Sequence, residues 1–167
     1  LPLVVLPHGG PHGPSDNWFF DEDAQFLASR GYAVLQLNFR GSGGRGVNFQ
    51  EAGYRQWGGK IIDDLEDATR WAVAQGEVDG ARVCAYGASF GAYASMMLAA
   101  RDPATYKCAV GYVGVYDLTL LGKAQNDRTD TFLANTFRKY IGDDRAELDR
   151  ISPVKLAAKI TSPVLLV

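Results

Sequence analysis

The chain has 167 residues, of which 47% are hydrophobic and 22% are charged, a composition typical of a globular protein with one sizeable core. Its net charge is −2 and its Lys and Arg residues are scattered, which argues against nucleic acid as a partner. No apolar run approaches the roughly 20 residues that span a bilayer, so no membrane partner is expected. No targeting segment is recognised, which predicts a cytoplasmic protein, and nothing in the sequence indicates its oligomeric state.

Short β-type runs alternate with helical segments along the first half of the chain. The apolar stretch 1–7 predicts a strand that is buried on both faces of a parallel sheet. A short helix that closes on its final glycine is predicted over 21–31, and a second strand over 32–39. A long glycine-rich loop is predicted from Arg40 to Gly59.

The second half continues this alternation. Ile61, Leu65, Ala68 and Ala72 recur at helical spacing, which predicts one apolar helix face that ends at Gly76. Further strands are predicted over 81–87, 108–117 and 162–167, and further helices over 90–102 and 130–144. Alternation of this kind predicts an α/β fold with a mainly parallel sheet flanked by helices.

Two further features concern the extent of the chain and its cysteines. Both ends of the chain lie in predicted strands, so residues 1–167 are expected to form part of a larger domain, truncated at both ends. Cys84 and Cys108 lie in apolar segments and belong to no C-x-x-C pair, which predicts two buried free thiols.

Gly87, Ser89 and Gly91 form the pattern G-x-S-x-G between a predicted strand and a predicted helix, and this is the setting of a nucleophilic serine. The tight turn would hold the hydroxyl above the sheet. It would also place the N–H of Phe90 at a helix N-terminus, where developing negative charge is favoured. A structural turn serine is the alternative, and the strand–turn–helix context favours the nucleophile.

The stretch LPHGGPHG follows the first predicted strand. Its glycines allow the backbone to approach a ligand closely, so the N–H of Gly10, with Gly9 as second choice, is the candidate second oxyanion donor. His8, His12 and Asp16 share a spacing that would suit a metal site on a helix. The intervening glycines and prolines prevent that helix, so no metal is expected and His8 is interpreted as orienting the loop.

Gly41, Gly43 and Gly46 match the pattern G-x-G-x-x-G after a predicted strand, which is half of a dinucleotide-binding motif. The other half requires a helix that opens at the last glycine and an acidic residue about 20 positions later. The next stretch of the chain is aperiodic and contains further glycines. A loop at the rim of the active site is therefore the preferred interpretation, and no cofactor is expected.

Several spaced motifs share one resemblance: HGGP, NFRGSGGRG, GGKIIDDLEDATRW, YGASFGAY and SPVKLAAKITSPVLLV. Together they resemble the catalytic domain of the prolyl oligopeptidase family of serine peptidases, especially its acylaminoacyl-peptidase and dipeptidyl-peptidase-like branches. The resemblance implies that residues 1–167 are a partial α/β-hydrolase catalytic domain. It also implies that Ser89 is the nucleophile and that the N–H groups of Gly10 and Phe90 bind the oxyanion.

One position departs from that family's pattern. Many members carry a tyrosine near the end of the R-G-x-x loop, and its hydroxyl assists oxyanion binding. This chain has Gly44 and Arg45 there, so that contribution is not expected and Arg45 is not placed in the catalytic set.

The base that activates Ser89 is the remaining element. In α/β-hydrolases the acid and then the histidine follow the serine along the chain, and no histidine follows Ser89 here. The resemblance therefore implies that the triad Asp and His lie beyond Val167, and the chain as given is expected to be inactive. Asp117 is a minor alternative for the acid.

The expected function is hydrolysis of peptide bonds in oligopeptides through an acyl-enzyme on Ser89. The nearest alternative is an esterase or lipase-like hydrolase that acts on small esters, since both reactions use the same fold and site. A noncatalytic domain of the same fold is a third possibility, which the intact motifs oppose. Val115 and Tyr116, with the Phe90 side chain, are expected to line an apolar substrate pocket, whereas Val113 is expected to lie in the core.

Overall fold

The computed structural model describes residues 1–121 and 131–167, and over this range it is an α/β protein. Its strands are all parallel and are ordered β2-β1-β3-β4-β5. They are β1 (Leu3–Val5), β2 (Ala33–Leu35), β3 (Val83–Ala88), β4 (Tyr106–Tyr112) and β5 (Val164–Leu166). The predicted α/β class and parallel sheet are confirmed, although β1, β2 and β5 are shorter than the apolar runs that indicated them.

Helices follow most of the strands. They are α1 (Glu22–Ser29), α2 (Val47–Glu51), α3 (Lys60–Ala74), α4 (Phe90–Arg101), α5 (Thr131–Tyr140), α6 (Arg145–Arg150) and a 3-10 helix (Pro153–Lys159). The short helix α2 lies inside the stretch that was predicted to be a loop. Helix α6 was not predicted either, because six mostly charged residues show no periodicity; its N-cap is Asp144, whose carboxylate accepts the N–H of Glu147.

The core lies between the sheet and helices α3 and α4. Helix α3 buries Ile61, Ile62, Leu65 and Thr69, so the predicted apolar face is present but is shifted by one residue toward Ile62 and Thr69. In α4, every residue from Phe90 to Ala100 is buried. A helix that is apolar all round is typical of an interior element, and α4 begins directly after Ser89. None of the helices in residues 1–121 and 131–167 has the length and apolar character needed to cross a bilayer.

Cys84 and Cys108 form a disulfide, so the prediction of two free thiols is wrong. The two residues lie directly opposite each other on the neighbouring strands β3 and β4, with their Cα atoms 4.7 Å apart. Such a short separation lies within the range that a disulfide can bridge. The pairing could not be recognised before the strand order and the register were known.

Candidate active site

Ser89 occupies the sharp turn between β3 and α4. Its backbone has φ of 55° and ψ of −117°, a conformation that residues other than glycine rarely adopt. The N–H of Ser89 donates to the carbonyl oxygen of Tyr112 at 2.9 Å, and its carbonyl accepts from the N–H of Tyr93 at 3.1 Å. These contacts hold the strained turn, and they leave the exposed side chain at the carboxyl end of β3.

The two glycines of the motif are required by close backbone contacts. A Cβ atom on Gly87 would lie 2.6 Å from the carbonyl carbon of Gly91. A Cβ atom on Gly91 would collide with the carbonyl oxygen of Pro7, which lies just beyond β1. The glycines therefore allow the first turn of α4 to pack directly on the loop that follows β1.

That loop, which contains Gly9 and Gly10, runs beside Ser89. A Cβ atom on Gly9 would lie 3.7 Å from the Cβ atom of Ser89. Gly10 has φ of +123°, a backbone conformation that favours glycine. Strands β1 and β3 are neighbours at the point where the chain order reverses across the sheet, and ligands of α/β proteins bind outside such a point.

The imidazole of His8 connects two loops. Its Nε2 atom lies 2.7 Å from Oγ of the buried Ser42, and its Nδ1 atom lies 2.7 Å from the carbonyl oxygen of Gly9. Because a carbonyl oxygen can only accept, Nδ1 donates to Gly9, and Nε2 shares a hydrogen bond with the Ser42 hydroxyl. In a trans peptide the C=O and the following N–H point in opposite directions. Holding the Gly9 carbonyl therefore also sets the direction of the Gly10 N–H.

The glycine-rich stretch after β2 packs against the loop that follows β1. The N–H of Gly13 donates to the carbonyl of Gly41 at 3.2 Å, and the N–H of Gly43 donates to the carbonyl of Pro14 at 3.0 Å. A Cβ atom on Gly43 would collide with the Gly13 carbonyl oxygen. The glycines thus permit contact between two loops, and the five-residue helix α2 that opens after Gly46 corrects the expectation that this stretch is aperiodic.

Three residues of the same stretch contribute side chains that the sequence did not single out. The Asn38 amide accepts the backbone N–H of Asp16 at 2.8 Å and donates to its carbonyl at 2.9 Å. Arg40 binds the carboxylate of Asp64 on α3, with Nε 2.7 Å from Oδ2. The ring of Phe39 stacks on His8 at 4.3 Å. In the sequence, these three residues are marked only by the motif NFRGSGG. The motif does not indicate which partner each side chain has.

His12 lies apart from His8, in an aromatic cluster. Its Nε2 accepts the indole N–H of Trp57 at 3.2 Å, and its ring lies 5.0 Å from that of Tyr54 and 4.5 Å from that of Tyr140. Burial lowers the pKa of His12 to about 4, so the ring is neutral at pH 7. Within the described ranges, no three side chains of the His, Cys, Asp and Glu types form a group that could hold a metal.

Asp117 caps a helical turn. Its Oδ1 accepts the N–H and the hydroxyl of Thr119, at 2.9 and 2.6 Å. The hydrogen bond from the Thr119 hydroxyl is the main reason why the pKa of Asp117 is lowered. The structure therefore gives this carboxylate a capping role at residues 118–121, and none of these contacts directs it toward a histidine.

The residues considered for the substrate pocket differ from the expectation in their burial and location. The Phe90 ring is only 1% exposed and packs on Trp57 in the core, so it offers no surface to a substrate. Val113, expected in the core, is 63% exposed. Tyr116 lines an apolar cavity of about 360 Å³ between α4, the 3-10 helix and β5, whereas Val115 packs against the core and does not line it.

No base contacts Ser89, the candidate nucleophile, in the part of the chain that the structure describes. The Ser89 hydroxyl makes no hydrogen bond there, and the rings of His8 and His12 are engaged with other partners. What residues 1–121 and 131–167 assemble is thus the strained turn of Ser89, the candidate nucleophile, and the adjacent loop of Gly9 and Gly10.

Comparisons with known proteins agree with this arrangement. The model of the prolyl oligopeptidase family matches residues 18–167. Dipeptidyl aminopeptidase BIII of Pseudoxanthomonas mexicana is 39% identical over 99% of this chain and 24% of its own length. A puromycin-hydrolysing peptidase of Mycobacterium tuberculosis superposes with a TM-score of 0.89 at 30% identity, over 99% of this chain and 25% of that one. An acylaminoacyl peptidase of Pyrococcus horikoshii gives a TM-score of 0.87 at 25% identity, over 99% and 27%.

These likenesses confirm the expected α/β-hydrolase fold, and they extend over nearly the whole chain. The chain spans about a quarter of the length of the curated relatives it matches. The chain belongs to the prolyl oligopeptidase family.

Proposed function

We propose that the protein containing these residues is a serine peptidase that hydrolyses peptide bonds of oligopeptides. The observation that carries the proposal is the strained Ser89 turn, which holds an exposed hydroxyl beside the Gly9 backbone. The relatives compared with this chain are peptidases by name. An exposed serine hydroxyl beside a glycine backbone suits cleavage of the carbon–nitrogen bond of a peptide.

In the proposed reaction, Ser89 Oγ attacks the substrate carbonyl carbon while a base takes its proton. The N–H groups of Gly10 and Phe90 are proposed to donate to the oxyanion that develops, because Phe90 follows the serine and Gly10 follows Gly9, whose backbone borders it. Collapse of the tetrahedral species breaks the carbon–nitrogen bond, and the amine leaves with the proton. Water then repeats these steps on the acyl-enzyme and releases the acid.

The base and its carboxylate partner are proposed to come from outside residues 1–167. His8 is committed to Ser42 and Gly9, and His12 has a pKa of about 4 and accepts from Trp57. A base works best with a pKa near the operating pH, so His12 is poorly suited to the role. Asp117 is engaged as a helix cap.

The test is hydrolysis of peptides by the full-length protein and its Ser89→Ala variant. Turnover is expected to fall by about 10⁶-fold, which leaves only the contributions of binding and of the oxyanion donors. The Ser29→Ala variant is the matched control, because the Ser29 hydroxyl is exposed on α1 and bonds only to the carbonyl of Phe26. A Ser89→Ala variant that retains a tenth of the activity would contradict the proposal.

Ester hydrolysis by the same site is the second candidate. It is distinguished by comparing an aminoacyl ester with the matching aminoacyl amide: a peptidase cleaves both, whereas an esterase leaves the amide intact. For substrate choice, Tyr116 is proposed to favour an apolar residue before the scissile bond, since it borders the apolar cavity, whereas Val115 packs against the core. Preference for a charged residue there, in a peptide-library profile, would refute this pocket.

Two observations point to different cellular compartments for the protein. The sequence favours the cytoplasm, whereas the Cys84–Cys108 disulfide is of a kind that persists in oxidising compartments. Alkylation of thiols in intact cells, followed by mass spectrometry of the two cysteine peptides, decides between these locations.

A further inference from the structure

Strands β3 and β4 change register at the position of the disulfide. Val83 lies opposite Tyr106, but the next residue, Cys84, lies opposite Cys108. Lys107 is therefore an extra residue on β4. Without this extra residue, the segment after it would be aligned one residue differently, and the disulfide joins the first pair of residues after the shift.

The alignment of β4 after this shift determines the backbone contact that supports Ser89. Beyond the shift the pairing continues in step as far as Ala88 and Tyr112. The next N–H, that of Ser89, donates to the carbonyl oxygen of Tyr112 at 2.9 Å. A slip of one residue moves each group on β4 by about 3.3 Å along the strand and turns its side chains to the opposite face. The hydrogen bond to Ser89 would then be lost.

We propose that the Cys84–Cys108 disulfide is a positioning crosslink for Ser89, which fixes the register of β4 and thereby the orientation of the nucleophile. The inference rests on the proposed function of Ser89. The crosslink lies five residues before Ser89 on one strand and four before Tyr112 on the other, so it acts on both partners of the supporting hydrogen bond.

Burial also favours the native register. Ala109 is buried and Lys107 is exposed, and a slip would turn Ala109 out of the core. This burial opposes a complete slip, so breaking the crosslink is expected to loosen the register and to populate the shifted alignment only in part, without unfolding the domain. The expected consequence is a lower reactivity of Ser89.

Reduction opens the crosslink in a balanced exchange. The two thiols of dithiothreitol give two electrons and two protons to the sulfur atoms of the disulfide. The products are the thiols of Cys84 and Cys108 and the cyclic disulfide of the reagent. Both cysteines are only partly buried, which leaves the bond open to attack.

The experiment measures fluorophosphonate labelling of Ser89, kcat and KM in the full-length protein, before and after reduction. Mass spectrometry of the two cysteine peptides confirms that the bond is open, and circular dichroism confirms that the fold is retained. Reduction is expected to lower the labelling rate and kcat by about fivefold, the effect of losing one hydrogen bond, with KM unchanged. The Cys84→Ser, Cys108→Ser double variant should be equally slow and insensitive to dithiothreitol.

A second crosslink tests register directly. Tyr86 and Val110 are opposite each other one pair further along the same face, beyond the shift. In the double-serine background, Tyr86→Cys with Val110→Cys is expected to restore the labelling rate on oxidation. The corresponding pair of alanine substitutions is the control that cannot form a crosslink.

Three results overturn the inference: equal labelling of the oxidised and the verified reduced protein, no rescue by the displaced crosslink, or a loss of labelling that only follows unfolding. Failure of the proposed function looks different. In that case the oxidised protein itself is labelled no faster than its Ser89→Ala variant.

Discussion

The Nε2 atom of His8 lies 2.7 Å from the hydroxyl oxygen of Ser42, a residue 34 positions further along the chain. This contact joins the loop after β1 to the loop after β2. The other ring nitrogen of His8 holds the Gly9 carbonyl, so the buried Ser42 also supports the orientation of the Gly10 N–H. We therefore expect Ser42 and His8 to act as positioning residues.

Removing this support is expected to lower kcat and to leave KM nearly unchanged, because an oxyanion donor acts mainly in the transition state. We expect Ser42→Ala to reduce kcat about fivefold, as for one lost hydrogen bond. For His8→Ala we expect kcat to fall about 10²-fold, which approaches the effect of losing an oxyanion donor. Steady-state kinetics of the full-length protein measure both, with Ser29→Ala as control. A rise in KM at constant kcat would show that the pair acts on binding instead.

The contact between Gly91 and the Pro7 carbonyl predicts that Gly91→Ala separates α4 from the loop after β1. We expect a loss of stability of roughly 1–3 kcal/mol from overpacking, together with loss of fluorophosphonate labelling. The matched control is Gly31→Ala, at a site with φ of +87° and no atom within 4 Å of the added Cβ. That variant also loses stability, by roughly 1–2 kcal/mol from its backbone conformation, but should keep full labelling. Normal labelling of Gly91→Ala would refute the argument.

His12 predicts how stability depends on pH. Burial lowers its pKa in the folded state to about 4 from an ordinary value of 6.5, so the unfolded chain binds more protons between these two values. Stability therefore rises with pH from about 4 to 6.5 and is level above that range, as far as this group is concerned. The His12→Gln variant keeps an acceptor for Trp57 and should show a smaller fall in its urea midpoint between pH 7 and pH 5. Equal falls in both proteins would exclude His12 as the cause.

Asp117 is predicted to stabilise the protein without taking part in catalysis. Asp117→Asn preserves an oxygen for the Thr119 N–H and should retain kcat, whereas Asp117→Ala should lose about 1 kcal/mol, as for a removed N-cap. Asp144→Ala, at the N-cap of α6, is the control for capping away from the site. If Asp117 were the triad acid, Asp117→Asn would instead lower kcat by about 10⁴-fold.

A chain of residues 1–167 alone is expected to react slowly with a fluorophosphonate probe, because the Ser89 hydroxyl has no base among the described residues. Labelling is compared with that of the full-length protein and of the Ser89→Ala variant. Rapid labelling of the monomeric 1–167 chain that depends on Ser89 would contradict this and would identify His8 or His12 as the base.

The sequence predicts those features that depend on neighbouring residues along the chain. Ser89 and its glycines are recognisable because a tight turn between a strand and a helix needs small residues at fixed spacing. The disulfide was missed because Cys84 and Cys108 become neighbours only through the strand order and the register shift at Lys107. Phe90 and Val113 were misplaced for a related reason. Strand β3 ends at Ala88 and strand β4 ends at Tyr112, and whether a side chain just beyond a strand end turns inward or outward depends on packing that no local pattern encodes.

The burial of every residue from Phe90 to Ala100 affects how the protein can move. A segment with no solvent-facing side opens only when much of the domain unfolds, so its amide hydrogens should be among the slowest to exchange. Ser89 sits at the first turn of this segment. If Ser89 is the nucleophile, as proposed, any opening that admits a substrate must come from the loops around it or from other parts of the protein, while Ser89 stays fixed.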